Sequence, residues 1–255
     1  MITEIGSPVQ YYLDMDDDFL IMNQLLDKKM SIRFEKYQCL NCGEDKKIFR
    51  QGFCYDCFFK MPQAGDWVMK PELSKAHLDI EDRDLEFEKE LQLQPHVVYL
   101  ANSSDVKVGV TRKTQIPTRW IDQGAHEAIV IVEVPNRYLA GIAEVALKDH
   151  VSDKTNWRKM LTNDIVDLDL NAEKERLSEF LPDEIKPYYS EFKSKEMEIE
   201  FPVLKYPTKI NSLNLDKTQN YQGTLKGIKG QYLLFEDGTV FNVRNFEGFV
   251  VEVEA

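Results

Sequence analysis

Two CxxC pairs, Cys39-Leu40-Asn41-Cys42 and Cys54-Tyr55-Asp56-Cys57, hold all four cysteines of the chain, with eleven residues between them. Each CxxC turn puts two sulfurs on one side of a tight loop, and two such turns complete the tetrahedron that zinc prefers. Gly43 follows the first pair and Gly52 precedes the second, where the backbone must bend beneath the sulfurs. A pair of disulfides is the main alternative, but nothing in the sequence points to export. A redox centre would need one CxxC rather than two. Four thiolates leave no open position for a substrate, so the zinc site expected at Cys39, Cys42, Cys54 and Cys57 is structural. Lys36, Lys46, Lys47 and Arg50 lie around it, either to meet phosphate or to offset the charge of the thiolates.

Around this module the 255 residues divide into five stretches. Residues 1–62 form an N-terminal segment that includes the cysteines. There the apolar sets Tyr11 to Leu13 and Phe19 to Leu25 suggest a strand and a short helix. Between them Asp16, Asp17 and Asp18 read as a solvated turn rather than a metal site. Residues 63–95 are a charged connector closing at Pro95, and residues 164–200 an acidic helical linker broken by Pro182 and Pro187. Residues 201–255 are rich in β-formers, with Asp237-Gly238 as a hairpin signal, and predict a small β barrel or curled sheet. Its Lys226, Lys229 and Arg244, with Tyr232 and Phe246, are a candidate nucleic-acid surface, although a packing role is slightly favoured.

The net charge of −12 excludes a generic nucleic-acid coat, because phosphates repel an acidic surface. The charge is uneven, however. Residues 91–163 hold nine Lys and Arg against seven Asp and Glu, which leaves −14 on the rest. A locally basic groove in the middle is therefore allowed, and the acidic flanks also suit a protein partner. No apolar run is long enough to span a bilayer, and the N-terminus lacks the basic start and apolar stretch of a signal peptide. A cytoplasmic protein without membrane contact is the expectation.

The fifth stretch, residues 96–163, is the most patterned. Val97 to Ala101 and Val106 to Val110 predict a hairpin. Alternation puts Val106, Val108 and Val110 on one face and Lys107, Gly109 and Thr111 on the other, and the matching register adds Tyr99 to this second face. Pro117 opens a helix that contains Arg119 and Trp120 and ends near Gly124. A third strand is expected from Ala128 to Val134, then a helix after Pro135 with Asn136 as its N-cap. On that helix Leu139, Ile142, Ala143, Ala146 and Leu147 make a buried stripe, and Arg137, Gly141, Glu144 and Lys148 a neighbouring one.

The order hairpin, helix, strand, helix resembles the GIY-YIG nuclease superfamily. Val97-Val98-Tyr99 stands where the GIY triplet is expected and Lys107-Val108-Gly109 where YIG is expected, with only the final Tyr of GIY kept and Lys107 replacing the first Tyr of YIG, as in some branches. Arg119, ten residues after Gly109, stands where that superfamily carries its helix arginine. Glu144 stands at its metal-binding glutamate, and Asn156, twelve residues on, at an asparagine found in some members. The run VKVGVTRKTQIPTRWIDQGA, with SDKTNWRKML, is also similar to an uncharacterised bacterial family in which a zinc region precedes the domain and a β-rich tail follows.

The resemblance implies an α+β protein, with a small GIY-YIG-like α/β domain between an N-terminal zinc-binding module and the C-terminal β unit. It also implies hydrolysis of phosphodiesters in DNA or RNA. Mg or Mn on Glu144 would neutralise charge on the phosphate, and Arg119 would grip that phosphate. Tyr99 would position or deprotonate the attacking water with help from the charge of Lys107, and Asn156 would orient substrate or water. Plainer roles are open to each: Tyr99 at a core edge, Arg119 in a surface ion pair, Lys107 as a solvated strand residue, Glu144 paired with Lys148, Asn156 as a cap. A non-catalytic zinc-containing protein that binds nucleic acid or ribonucleoprotein through a degenerate nuclease fold is the alternative.

Overall fold

The computed structural model describes residues 1–15, 18–151, 156–189 and 196–255, so Asp16 and Asp17 of the acidic run lie outside the described residues. The first strands, β1 (Ile2–Glu4), β2 (Gln10–Asp14) and β3 (Phe19–Ile21), form a small antiparallel sheet. A 3-10 turn at Met22–Leu25 takes the place of the expected short helix, and β4 (Lys29–Tyr37) follows. The cysteine module is the hairpin β5 (Ile48–Arg50) and β6 (Phe53–Cys54) with the single-turn helix α1 (Tyr55–Phe58). The connector breaks into short pieces: α2 (Asp66–Met69), 3-10 turns at Pro71–Leu73 and Ala76–Leu78, and α3 (Leu85–Gln92).

The patterned stretch gives β7 (His96–Asn102), β8 (Val106–Arg112), α4 (Thr118–Asp122), β9 (Glu127–Val134), α5 (Arg137–Lys148) and α6 (Trp157–Thr162). Then come α7 (Leu170–Ser178), β10 (Met197–Glu198), β11 (Asn211–Ser212), β12 (Asn220–Lys229), β13 (Tyr232–Phe235), β14 (Thr239–Asn242) and β15 (Phe249–Glu254).

The central sheet has the order β10-β9-β7-β8, and neighbouring strands run antiparallel. Every residue of β7 is buried, because the strand has neighbours on both edges and layers on both faces. Val98 and Leu100, with Val106 and Val108 of β8, meet Ala140, Ala143 and Leu147 of α5 and Leu170 and Leu177 of α7. Val97, Tyr99 and Ala101 point the other way, into a core shared with Trp120, Ile121, Leu225, Ile228 and Leu233. Each such aliphatic side chain withdrawn from water stabilises the fold by about 1.5–3 kcal/mol. The two faces of one strand thus tie the central unit to separate layers.

The other large sheet has the order β11-β14-β13-β12-β4-β15. Its β13–β14 turn is the expected Asp237-Gly238 hairpin, with Gly238 at φ +82°. The expectation of a barrel is corrected here: the sheet is open, with β11 and β15 as its edges. Closure needs edge strands long enough to meet with a consistent stagger, and β11 is two residues long. The sheet is not confined to residues 201–255, since β4 pairs with β12 on one side and β15 on the other. The architecture is mixed α+β. Among the described residues no helix is long and apolar enough to cross a membrane.

Candidate functional site

In the cysteine module, the ligand atoms of Cys39, Cys42, Cys54 and Cys57 all lie within 4.8 Å of one another. Gly43 and Gly52 take φ of +72° and +75°, the left-handed conformation that each knuckle needs. The Gly43 N–H donates to Cys39 O at 2.8 Å, closing the first turn, and Leu40 N–H donates to Gly52 O at 2.9 Å, joining the two. Sulfur is a weak acceptor unless ionised, yet Cys54 N–H approaches Cys39 Sγ at 3.3 Å and Asn41 Nδ2 approaches Cys57 Sγ at 3.3 Å. Burial resists ionisation of Cys39, but backbone N–H groups around it prevail and bring its pKa down to about 6. At Cys57 the Asn41 donor favours the thiolate, but burial and the neighbouring sulfurs outweigh it and push the thiol up to about 11. Four convergent sulfurs fit a metal ion, whose charge would hold them as thiolates.

A second group of side chains gathers where α4 packs on the Tyr99 face of β7 and β8, with α5 on the opposite face of the sheet. Tyr99 lies directly opposite Gly109, with Lys107 one step along the same face, as the alternation predicted. A Cβ on Gly109 would come within 2.6 Å of Tyr99 Oη, so the phenol lies across the glycine. Gln123 Nε2 donates to Tyr99 Oη at 2.8 Å, and Trp120 meets the ring edge-on with centroids 6.0 Å apart.

The charges of these groups act on one another. Tyr99 is 0% exposed, and burial raises its pKa; hydrogen bonding and charge from Arg119 pull the other way without cancelling that rise, and Glu144 adds to it. The phenol therefore keeps its proton at neutral pH. Burial, with the charge of Arg119, lowers the Lys107 pKa to about 8. Glu144 is 8% exposed, and burial raises its pKa, helped by Glu72 and opposed by Lys148 and Arg137. Arg119 thus acts on both Tyr99 and Lys107, whereas Glu144 is felt by Tyr99 and is itself governed by Lys148, Glu72 and Arg137. The Glu144–Lys148 pair also forms, at 3.4 Å.

Several members of this region had no role in the sequence reading. Gln123 sits four residues after Arg119, a helical spacing that could have flagged it. Arg137 donates to Trp67 O at 3.1 Å and Val68 O at 2.7 Å, and its guanidinium lies 5.6 Å from the Trp67 ring centre. Burial lowers its pKa to about 10, opposed by the Glu144 and Glu72 carboxylates and helped by the charges of Arg119 and Arg112. Glu72 comes from the connector, whose 3-10 turn rests on α5 at Gly141; its Oε2 is buried and has no hydrogen-bond partner among the described residues. In this region Arg119 acts on the neutral phenol, and Arg137 and Lys148 on the Glu144 carboxylate. Such groups suit an anion and a carboxylate-bound cation.

Asn156 stands apart. Its side chain caps α6 by accepting from Arg158 N–H at 3.1 Å, and no interaction joins it to the other four among the described residues. Trp120 is core, whereas Trp157 is half-buried and stacks on Tyr232. The candidate surface of the tail does not form. Lys229 is buried, Lys226 is paired with Asp27 and Glu236, and Arg244 lies 3.3 Å from Asp122, so these cations serve the joint with the rest of the molecule.

A family model described as "Protein of unknown function (DUF2797)" matches residues 27–251. No curated protein and no solved structure matches the chain.

Proposed function

Because the chain belongs to the DUF2797 family, whose description assigns no activity, we propose one from its own residues: a metal-dependent, GIY-YIG-like nuclease that hydrolyses phosphodiester bonds in DNA or RNA. The observation that carries this reading is the shared face of Tyr99, Lys107 and Gly109, on which α4 places Trp120 and Gln123 against the phenol and Arg119 acts by charge; Glu144, on the helix of the opposite face, acts on Tyr99 by charge. In this reading the four cysteines hold a structural zinc. Glu144 is the ligand for Mg or Mn, with the unpartnered Glu72 carboxylate beside it. The bound ion would neutralise charge developing on the phosphate.

The chain's own groups divide the rest of the work. Arg119 grips the scissile phosphate through its fork of donors. Tyr99, protonated because it is buried, positions the attacking water instead of deprotonating it. Lys107, with its pKa near 8, takes the attacking water's proton as the new P–O bond forms, and the departing ester oxygen takes a proton from a solvent water. Asn156 acts as a helix cap and has no part in the chemistry.

A second reading has its own support. The complete burial of Tyr99 and the Glu144–Lys148 pair favour a nucleic-acid-binding protein that has kept the fold without the activity. Labelled DNA and RNA incubated with Mg²⁺ or Mn²⁺ decide between the two. Cleavage by the wild type that falls at least about a hundredfold in Glu144→Ala supports the nuclease. Cleavage untouched by that substitution removes the mechanism, and salt-sensitive binding without cleavage selects the second reading. Zinc is expected at about one atom per chain.

A further inference from the structure

The cysteine module carries a surface that neither its sulfurs nor the core uses. Phe49 of β5 and Tyr55, Phe58 and Phe59 at α1 meet ring edge against ring face. Centroids are 5.2 Å apart for Phe49–Tyr55, 5.2 Å for Phe49–Phe58 and 5.0 Å for Tyr55–Phe59. Three of the rings stay largely in solvent: Phe49 is 42% exposed, Phe59 53% and Tyr55 62%. A contiguous aromatic patch of this kind marks an interaction site. Its rings are held in place by the sulfurs, because Tyr55, Phe58 and Phe59 flank Cys57, and the strand paired with that of Phe49 ends in Cys54. Arg83 Nη1 donates to Phe58 O at 2.8 Å and Met61 O at 2.7 Å, fastening the end of α1 to the connector that lies against α5.

The charge around the rings identifies the partner. The Arg50 guanidinium lies 5.3 Å from the Phe49 ring centre. Lys36, Lys47 and Lys60 are exposed and form no ion pair among the described residues, whereas Lys46 pairs with Glu44 at 2.9 Å. Residues 36–60 hold five Lys and Arg against three Asp and Glu, in a chain of net charge −12. Aromatic rings and Arg are common at protein interfaces too, but Lys is depleted there, and the exposed Lys36, Lys47 and Lys60 weigh against a protein partner here. Exposed ring faces interleaved with unpaired cations are instead what unstacked bases and their phosphates require. A duplex keeps its base faces to itself.

We infer that Phe49, Tyr55 and Phe59, with Arg50, Lys47 and Lys60, form a platform that binds single-stranded nucleic acid by stacking on its unpaired bases. The platform shares its partner class with the proposed function but does not involve Glu144, so the two can fail separately.

The test is a fluorescence-anisotropy titration of the full chain with a labelled oligo-dT, an oligo-rU and a duplex, each at several salt concentrations. The single strands should bind more tightly than the duplex. Tyr55→Ala and Phe59→Ala should each weaken single-strand binding about tenfold with zinc content unchanged, and Tyr55→Phe should keep it. Lys47→Gln should make the salt dependence shallower by about one phosphate contact. Alanine variants that bind like the wild type overturn the platform, even if Glu144→Ala abolishes cleavage. So does a wild type that ignores single strands, or one that self-associates through Tyr55 instead. Ring-dependent binding without cleavage under any condition upholds the platform and sinks only the nuclease.

Discussion

Gly109 is set by the phenol above it. In a strand, alanine is ordinarily the better residue, by roughly 0.5–1 kcal/mol, so Gly109→Ala should leave the fold intact. Its methyl would nevertheless fall 2.6 Å from Tyr99 Oη and push the ring off Gln123 and Arg119. Cleavage should drop by about a hundredfold, with circular dichroism unchanged, since an error of about 1 Å in a positioning group costs that much. Lys107 gives the site its pH dependence. The amine accepts a proton only when neutral, so the cleavage rate should climb as pH rises through about 8 and then level off. Lys107→Arg, always protonated, should be slow at every pH in the same profile. The placing of Tyr99, Lys107 and Gly109 on one face was legible in the sequence because a two-residue period is local. The state of the phenol was not, because its burial is imposed by a core that draws on residues more than a hundred positions away.

At the level of elements, α5 shows where reading by pattern stops. Its start was legible: Asn136 caps it, with Oδ1 accepting from Leu139 N–H at 2.9 Å. Of the expected buried stripe Ala143 and Leu147 are buried, but Leu139, Ile142 and Ala146 are only half-buried; Gly141 and Glu144 of the neighbouring stripe are buried instead, and what covers them was not legible. Apart from α3, the connector's pieces are single turns held by tertiary contacts, such as the Arg137 bonds to Trp67 O and Val68 O, and so leave no periodic trace. Gly141 is the point of contact. A Cβ there would lie 2.2 Å from Glu72 N and 2.4 Å from Pro71 C, which are backbone atoms that cannot swing aside. Gly141→Ala should therefore destabilise by about 1–3 kcal/mol in urea unfolding, although alanine is intrinsically favoured in a helix. Proteolysis within residues 66–73 should quicken in the same variant.

Across the whole molecule, the joint between the central unit and the large sheet is sealed around Lys229. Its Nζ donates to Asn163 Oδ1 at 3.0 Å and lies within 5.6 Å of the Phe201 and Tyr206 ring centres, with His126 the nearby titratable group it perturbs. Burial lowers its pKa from 10.5 to about 8. The unfolded chain then holds more protons than the folded one between those values, so stability should rise as pH climbs from about 8 to about 10.5. Lys107, also lowered to about 8, contributes to the same rise, so Lys229→Met should reduce it, seen as a flatter plot of melting temperature against pH over this window. Nothing local in the sequence announces this burial, nor the pairing of β4 with strands from the far end of the chain, for both depend on contacts of long sequence separation. That pairing bears on synthesis. A ribosome releases β4 about 180 residues before β12. At about 5–20 residues per second, a nascent chain carries an amphipathic ribbon with two open edges for on the order of ten to forty seconds. Over that interval it is a bait for chaperones, and for neighbouring copies on the same message.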